Sequence, residues 1–138
     1  MNAPAPARTL LDDAIALQPS LRARAAEFEE ARRLPSDIAE RLATIGACRM
    51  LTPRAVGGLE VDARSFAETV EALAVGDASA GWCAMIAATA ALSAAYMPED
   101  DARAVFGDPS VISGGVFAPM GKAVPEGDGY RVSGQWRW

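Results

Sequence analysis

Ala78 to Met97 runs twenty residues without a charged side chain, and nine of the twenty are alanine. That length meets the requirement for crossing a bilayer, so the chain must be either a membrane span here or the interior of a helical bundle. The large aliphatic residues are only Met85, Ile86, Leu92 and Met97, so transfer into lipid gains little. Asp77 flanks one end and Glu99, Asp100 and Asp101 the other, with no basic anchor. Small residues let neighbouring helices approach closely. The stretch is therefore expected to be the central helix of a bundle, apolar on every side because it is surrounded.

The residues before it supply that bundle. Leu10, Ala14, Leu17, Leu21, Ala25 and Phe28 recur at three- and four-residue steps, opposite a face carrying Arg22, Arg24, Glu27, Glu29 and Glu30, which is the pattern of an amphipathic helix. Pro19 either kinks or divides it. A second helix starts at Pro35-Ser36-Asp37, buries Ile38, Leu42 and Ile45, and ends at Gly46. Pro53 and Gly57-Gly58 make Cys48 to Glu60 a loop. Asp62 caps a third helix in which Phe66, Val70 and Leu73 share a face; Gly76 ends it, so that it and the alanine-rich helix are antiparallel neighbours. Pro98 with Glu99, Asp100 and Asp101 opens a short helix that stops at Gly107.

After Asp108-Pro109 the period changes. Val111 to Phe117 is β-prone although Gly114-Gly115 interrupts it, and Gly127-Asp128-Gly129 is a turn between Lys122–Pro125 and the alternating run Tyr130 to Trp138. The fold class is mainly α: an N-terminal helical bundle leading into the first strands of a β domain. The divisions are a flexible N-terminus over 1–9, a helical domain over 10–108 and an incomplete β domain over 109–138. About 30 residues of sheet do not close a core, so the sequence is expected to be the front part of something larger.

Composition removes several classes of chemistry. There is no histidine among 138 residues, so neither a histidine triad nor a His-ligated zinc site is available. Cys48 and Cys83 lack metal-binding spacing and are expected to be two reduced, buried thiols. Thirteen Lys and Arg against 18 Asp and Glu give a net charge of −5, without the basic face that a nucleic-acid backbone requires. Met1 to Arg8 lacks the layout of a secretory signal, so a cytoplasmic location is expected, with neither nucleic acid nor membrane as partner. Asp12-Asp13, Glu29-Glu30 and Asp100-Asp101 are adjacent pairs, which diverge by about 100° on a helix and do not share a proton. No phosphate-binding glycine motif or nucleophile elbow is present. What remains is Phe117, Trp136 and Trp138 on β segments, suited either to packing or to covering a flat ligand.

Three segments together resemble the acyl-CoA dehydrogenase superfamily. Leu51-Thr52-Pro53-Arg54-Ala55-Val56-Gly57-Gly58 is similar to its P-x-x-x-G-G loop, and Asp77-Ala78-Ser79-Ala80-Gly81-Trp82 to the D-x-S-x-G-W opening of its central helix. Gly115-Val116-Phe117-Ala118-Pro119-Met120-Gly121-Lys122-Ala123, followed by Gly129 to Trp138, resembles its β-domain pattern. Thioester dehydrogenases usually carry T-E-P and then G-S-D, and Lys where Trp136 stands. The A-P-x-G and W-x-W forms resemble instead the flavin-dependent monooxygenase branch, in which a separate flavin reductase supplies reduced flavin. Several of those oxygenases place a His near the position of Ala90, which this chain lacks.

The resemblance implies FAD or FMN as cofactor, with Val116, Phe117 and Ala118 running along the flavin ring and Trp138 packing beside it. Trp82 and Ala123 would face the substrate, a small molecule. It also implies a homo-oligomer, a tetramer in the family. The dehydrogenases' catalytic base is a carboxylate in a later helical domain, so no catalytic residue can be named in this chain. The implied activity is that of an oxygenase component using reduced flavin and O₂; the alternatives are an acyl-CoA dehydrogenase using FAD and a non-catalytic helical interaction module. Tight flavin binding is not expected of these 138 residues by themselves.

Overall fold

The computed structural model describes residues 5–136, with side chains from Leu10 onward. Six α-helices are followed by one β-hairpin: α1 (Ala5–Ala23), α2 (Ala25–Ala31), α3 (Ser36–Thr44), α4 (Ala63–Gly76), α5 (Ala78–Ala91), α6 (Glu99–Phe106), β1 (Gly121–Glu126) and β2 (Gly129–Gly134). Short 3-10 turns stand at Ala47–Arg49, Arg54–Val56 and Leu92–Tyr96.

Helix α1 opens at Ala5, inside the stretch expected to be flexible, and passes through Pro19 without a break. The chain turns only at Arg24, whose φ of −113° and ψ of 8° leave the helical region. Pro19 is exposed, so its missing N–H lies on the solvent side. The apolar stripe is buried as its spacing demands, with Leu10, Ala14, Leu17, Leu21 and Phe28 all under 6% exposed. α1 runs alongside α4 in the same direction: Leu10 clusters with Phe66 and Val70, while Gln18 Nε2 donates to the Ala72 carbonyl at 2.9 Å and Arg22 Nη2 to that of Val75 at 2.9 Å. The Val75 carbonyl is among the last four of α4, which lack intrahelical partners, and that of Ala72 stands one position before them.

Arg24 ties α2 to α3. Its guanidinium donates to both Glu27 and Asp37, and these bonds hold both carboxyls below the usual carboxylate range. A depressed folded-state pKa contributes stability that is present above the unfolded value and is lost as pH falls through the folded one. The urea midpoint is therefore expected to fall on acidification below about pH 4. Arg24→Met should show a smaller fall over the same interval; an equal fall would place the acid sensitivity elsewhere.

α4 and α5 meet at Asp77, which ends one and caps the other. They are antiparallel, as expected: Gly81 meets Ala74 near the joint, and Ala88 shares a cluster with Val70 and Phe66 at the far end. The stretch Ala78–Tyr96 is long and apolar enough for a membrane span by length and composition, yet Ala80, Ala84, Ala87, Ala88 and Ala91 are buried within the chain. The expectation that this helix is covered all round needs correction. One face is buried and the other is open, with Trp82 at 54% exposure.

Cys83 lies on that open side and is exposed, not buried as expected; Cys48 is buried. Burial pushes the Cys48 thiol up to about 11 and raises that of Cys83 as well. At pH 8.5, close to the ordinary thiol value of about 8.5, iodoacetamide is expected to label Cys83 in the native protein and Cys48 only after unfolding. Peptide mass mapping checks this, and equal native labelling would contradict it.

A second correction concerns Val111 to Phe117. Among the described residues it forms no strand: Gly114-Gly115 lacks β-propensity and no neighbouring strand pairs with it. The hairpin does form, with Gly121 opposite Gly134, Ala123 opposite Val132 and Glu126 opposite Gly129. Gly127, at φ +59°, takes the first loop position, where a two-residue II′-type turn requires positive φ.

Candidate functional site

The open face of α5 and the chain that crosses it define the site. Asp77 Oδ1 accepts the Ala80 N–H at 2.9 Å, which fixes the first turn of α5. A Cβ on Gly81 would stand 2.8 Å from the Ala74 Cβ and 3.0 Å from its Cα, so only glycine lets α4 come this close. Trp82 then projects to the other side, with Ile86 one turn further on. The D-x-S-x-G-W segment is thus a cap, a close contact and a presented indole.

The chain reaches this face from α6. Asp108 Oδ1 accepts from the Ser110 N–H at 2.8 Å and from its hydroxyl at 2.7 Å; those bonds, with Arg49 nearby, hold its carboxyl below the usual range. Ser113 Oγ donates to the Ala87 carbonyl at 3.2 Å. Gly115 lies over Ala90, since a Cβ there would be 3.6 Å from the alanine Cβ. Gly114 to Phe117 therefore rests on α5 as a narrow strip with a hollow along each side.

The first hollow, about 550 Å³, is lined by Trp82, Ile86, Gly114, Gly115, Val116 and Trp136. None of these carries a charge. The second, about 610 Å³, lies between the strip and Thr89, Ala90, Leu92, Ser93 and Tyr96, and includes Phe117. Its polar groups are hydroxyls: Thr89 Oγ1 donates to the Met85 carbonyl and Ser93 Oγ to that of Ala90, which leaves their oxygen lone pairs free to accept. Phe117 and Tyr96 are 85% and 86% exposed. Among the described residues, the backbone of 114–117 makes no hydrogen bond to other backbone. An apolar surface with free amide groups along it suits a planar ring with a polar edge.

Trp136 owes its place to two glycines. A Cβ on Gly121 would be 2.5 Å from the Trp136 ring and one on Gly134 would be 3.0 Å from it, and the two face each other across the hairpin. The bare pair seats the indole, which then walls the first hollow opposite α5.

Val116 and Phe117 are brought onto α5, and Trp82 shares the first hollow with Val116. Ala118 follows directly, its carbonyl accepting the Met120 N–H at 2.8 Å, but it lines neither hollow. Ala123 lies mid-strand on β1, exposed, and lines neither hollow. Trp138 lies outside the described residues. Trp136, one of the three β-segment aromatics expected to pack or to cover a flat ligand, lines the first hollow; sequence reasoning missed Tyr96, which lines the second.

The profile of the acyl-CoA dehydrogenase N-terminal domain matches residues 12–100. The chain belongs to the acyl-CoA dehydrogenase family. Within it, the chain is 31% identical over 119 residues to the indole-3-acetate monooxygenase of Pseudomonas putida, covering 85% of this chain and 30% of that protein. It is 34% identical over 144 residues to the oxygenase component of an FADH₂-dependent resorcinol hydroxylase from a Rhizobium species, covering 98% and 34%. The crystal structure of the HsaA monooxygenase from M. tuberculosis superposes with a TM-score of 0.87 at 34% identity, covering 96% of this chain and 36% of that one. The chain spans about a third of the length of these relatives. In this family setting, helices followed by the opening strands of a β domain are the expected order, and the strip over α5 stands at their junction.

Proposed function

We propose that the protein is the front part of an oxygenase component that uses reduced FAD or FMN and O₂ to hydroxylate a small aromatic compound, with the flavin supplied by a separate reductase. One observation carries this reading: the Gly114–Phe117 strip, with its free backbone groups, lies between two uncharged hollows bordered by Trp82, Trp136, Phe117 and Tyr96. Its relatives include a monooxygenase and a hydroxylase, which supports the same class.

The residues fit one side of a flavin. Phe117 offers an exposed ring for stacking, and the amides of Val116 and Phe117 offer donors to a pyrimidine edge. Reduced flavin, when bound, supplies the electrons that activate O₂. The chain's own part is to bind, orient and dry the site. Trp82, Ile86, Val116 and Trp136 present no charge and no acid, so water held there makes few hydrogen bonds and is readily displaced by an aromatic ring. That dryness protects reactive species from hydrolysis and proton leakage. Among the described residues, no carboxylate or imidazole lines either hollow, so none of them is assigned proton removal from the substrate.

Oxygen uptake tests the reading. With NADH, FAD and an added flavin reductase, the full-length oxygenase to which this segment belongs is expected to consume O₂ and convert resorcinol, used as the probe, to a hydroxylated product. Acyl-CoA-dependent dye reduction in place of product formation would assign it to the dehydrogenases instead.

A further inference from the structure

The buried guanidinium of Arg49 is not used by anything described so far. It ends the 3-10 turn Ala47–Arg49 and is 6% exposed. Nη1 donates to the carbonyls of Phe106 at 2.6 Å and Asp108 at 2.9 Å, and Nη2 donates to the carbonyl of Val56 at 3.0 Å. Burying a cation without a carboxylate contact is costly unless fixed dipoles replace its water. Here the acceptors are three backbone oxygens: that of Phe106 at the negative end of α6, that of Asp108 in the turn just beyond it, and that of Val56.

The first two acceptors mark where the chain leaves α6 for the site. From Asp108 the backbone has only five residues to reach Ser113, whose hydroxyl is tied to α5, and Gly114 begins the strip immediately after. The other acceptor belongs to the P-x-x-x-G-G loop. Gly57 turns with φ +83°, and a Cβ on it would be 3.4 Å from Arg49 Nη2. Gly58 folds so tightly back that a Cβ would lie 2.0 Å from the Thr52 carbonyl oxygen. The loop thereby lays the Val56 carbonyl on the guanidinium.

We infer that Arg49 is a positioning residue for the proposed flavin site: held by the glycine loop, it fixes the α6 exit and through it sets how the Gly114–Phe117 strip lies on α5. A staple that served stability alone would leave the hollows unchanged in any variant that still folds. A positioning residue would not. The inference rests on the flavin reading for its functional meaning, but its structural content has a readout that needs no ligand.

Trp138→Phe leaves Trp82 and Trp136 as the indoles of the chain, and both line the first hollow. In that background, Arg49→Met is expected to keep the helical circular dichroism signal while the acrylamide quenching constant of the indoles rises by about two-fold, as a local opening without global unfolding requires. Arg49→Lys, which keeps the charge but reaches fewer carbonyls, should fall between the two and serves as the measurable variant if Arg49→Met does not fold. With reduced FAD titrated anaerobically into the same Arg49 variants made without the Trp138 substitution, the half-saturation concentration should rise in the same order. Unchanged quenching in folded Arg49→Met, or in Arg49→Lys where only that variant folds, would overturn the inference. Absence of flavin binding by the parent protein would overturn the flavin reading while leaving the quenching result to stand on its own.

Discussion

Gly58→Ala is expected to destabilise the protein by about 2–4 kcal/mol, the range in which a backbone clash outweighs ordinary substitution effects. The added methyl would sit 2.0 Å from the Thr52 carbonyl oxygen and 2.3 Å from the Thr52 Cβ. Neither can retreat. Thr52 is 1% exposed, and its carbonyl already accepts the Glu60 N–H at 3.1 Å. Gly57→Ala is the control: it meets no backbone within contact distance but must hold φ +83°, a strain of about 1–2 kcal/mol. Urea unfolding of the two variants should rank Gly58→Ala as the weaker protein, and the reverse order would mean that the loop relaxes freely around Thr52.

Gly81→Val should cost about 3 kcal/mol, at the upper end for overpacking, because the first carbon alone would meet the Ala74 Cβ at 2.8 Å and the Ala74 backbone nitrogen at 3.0 Å. Backbone does not repack as a side chain does, so α5 must move away from α4. The effect extends to the site, since Trp82 is the next residue and Ile86 follows on the same helix. A lowered urea midpoint together with a red-shifted indole emission is the expected pair of results. Loss of stability without any change in emission would mean that the open face of α5 is held independently of its buried face.

The helices were legible because their signals are local. The stripe from Leu10 to Phe28, the Asp62 cap, and the stops at Gly46 and Gly76 each act within one or two turns, and the structure uses all of them. The hairpin was legible for the same reason, from Gly127-Asp128-Gly129. What escaped was set by distant parts of the chain. Composition shows α5 to be apolar all round but not that one face is left open, so Cys83 was assigned to the interior and is exposed. Val111 to Phe117 has β-prone residues, but a strand needs a partner, and here the segment rests on a helix. Arg49 carries no local mark at all; its acceptors at Phe106 and Asp108 lie 57 and 59 residues away. Of the candidate site, Trp82, Val116 and Phe117 were named from the resemblance and meet at α5, whereas Ala118 and Ala123 line neither hollow; Trp136 was legible as an aromatic on a β segment, but its seat on two glycines was not.

The proposed flavin ring would lie along Gly114 to Phe117, over the open face of α5. Hydrogen exchange followed by mass spectrometry, with and without FAD or FMN at millimolar concentration, reads that location directly. Slower exchange is expected in peptides covering Gly114 to Ala118, with α1 to α3 unchanged. Protection confined to those first helices, or none at a flavin concentration where binding is detected by fluorescence, would contradict the account.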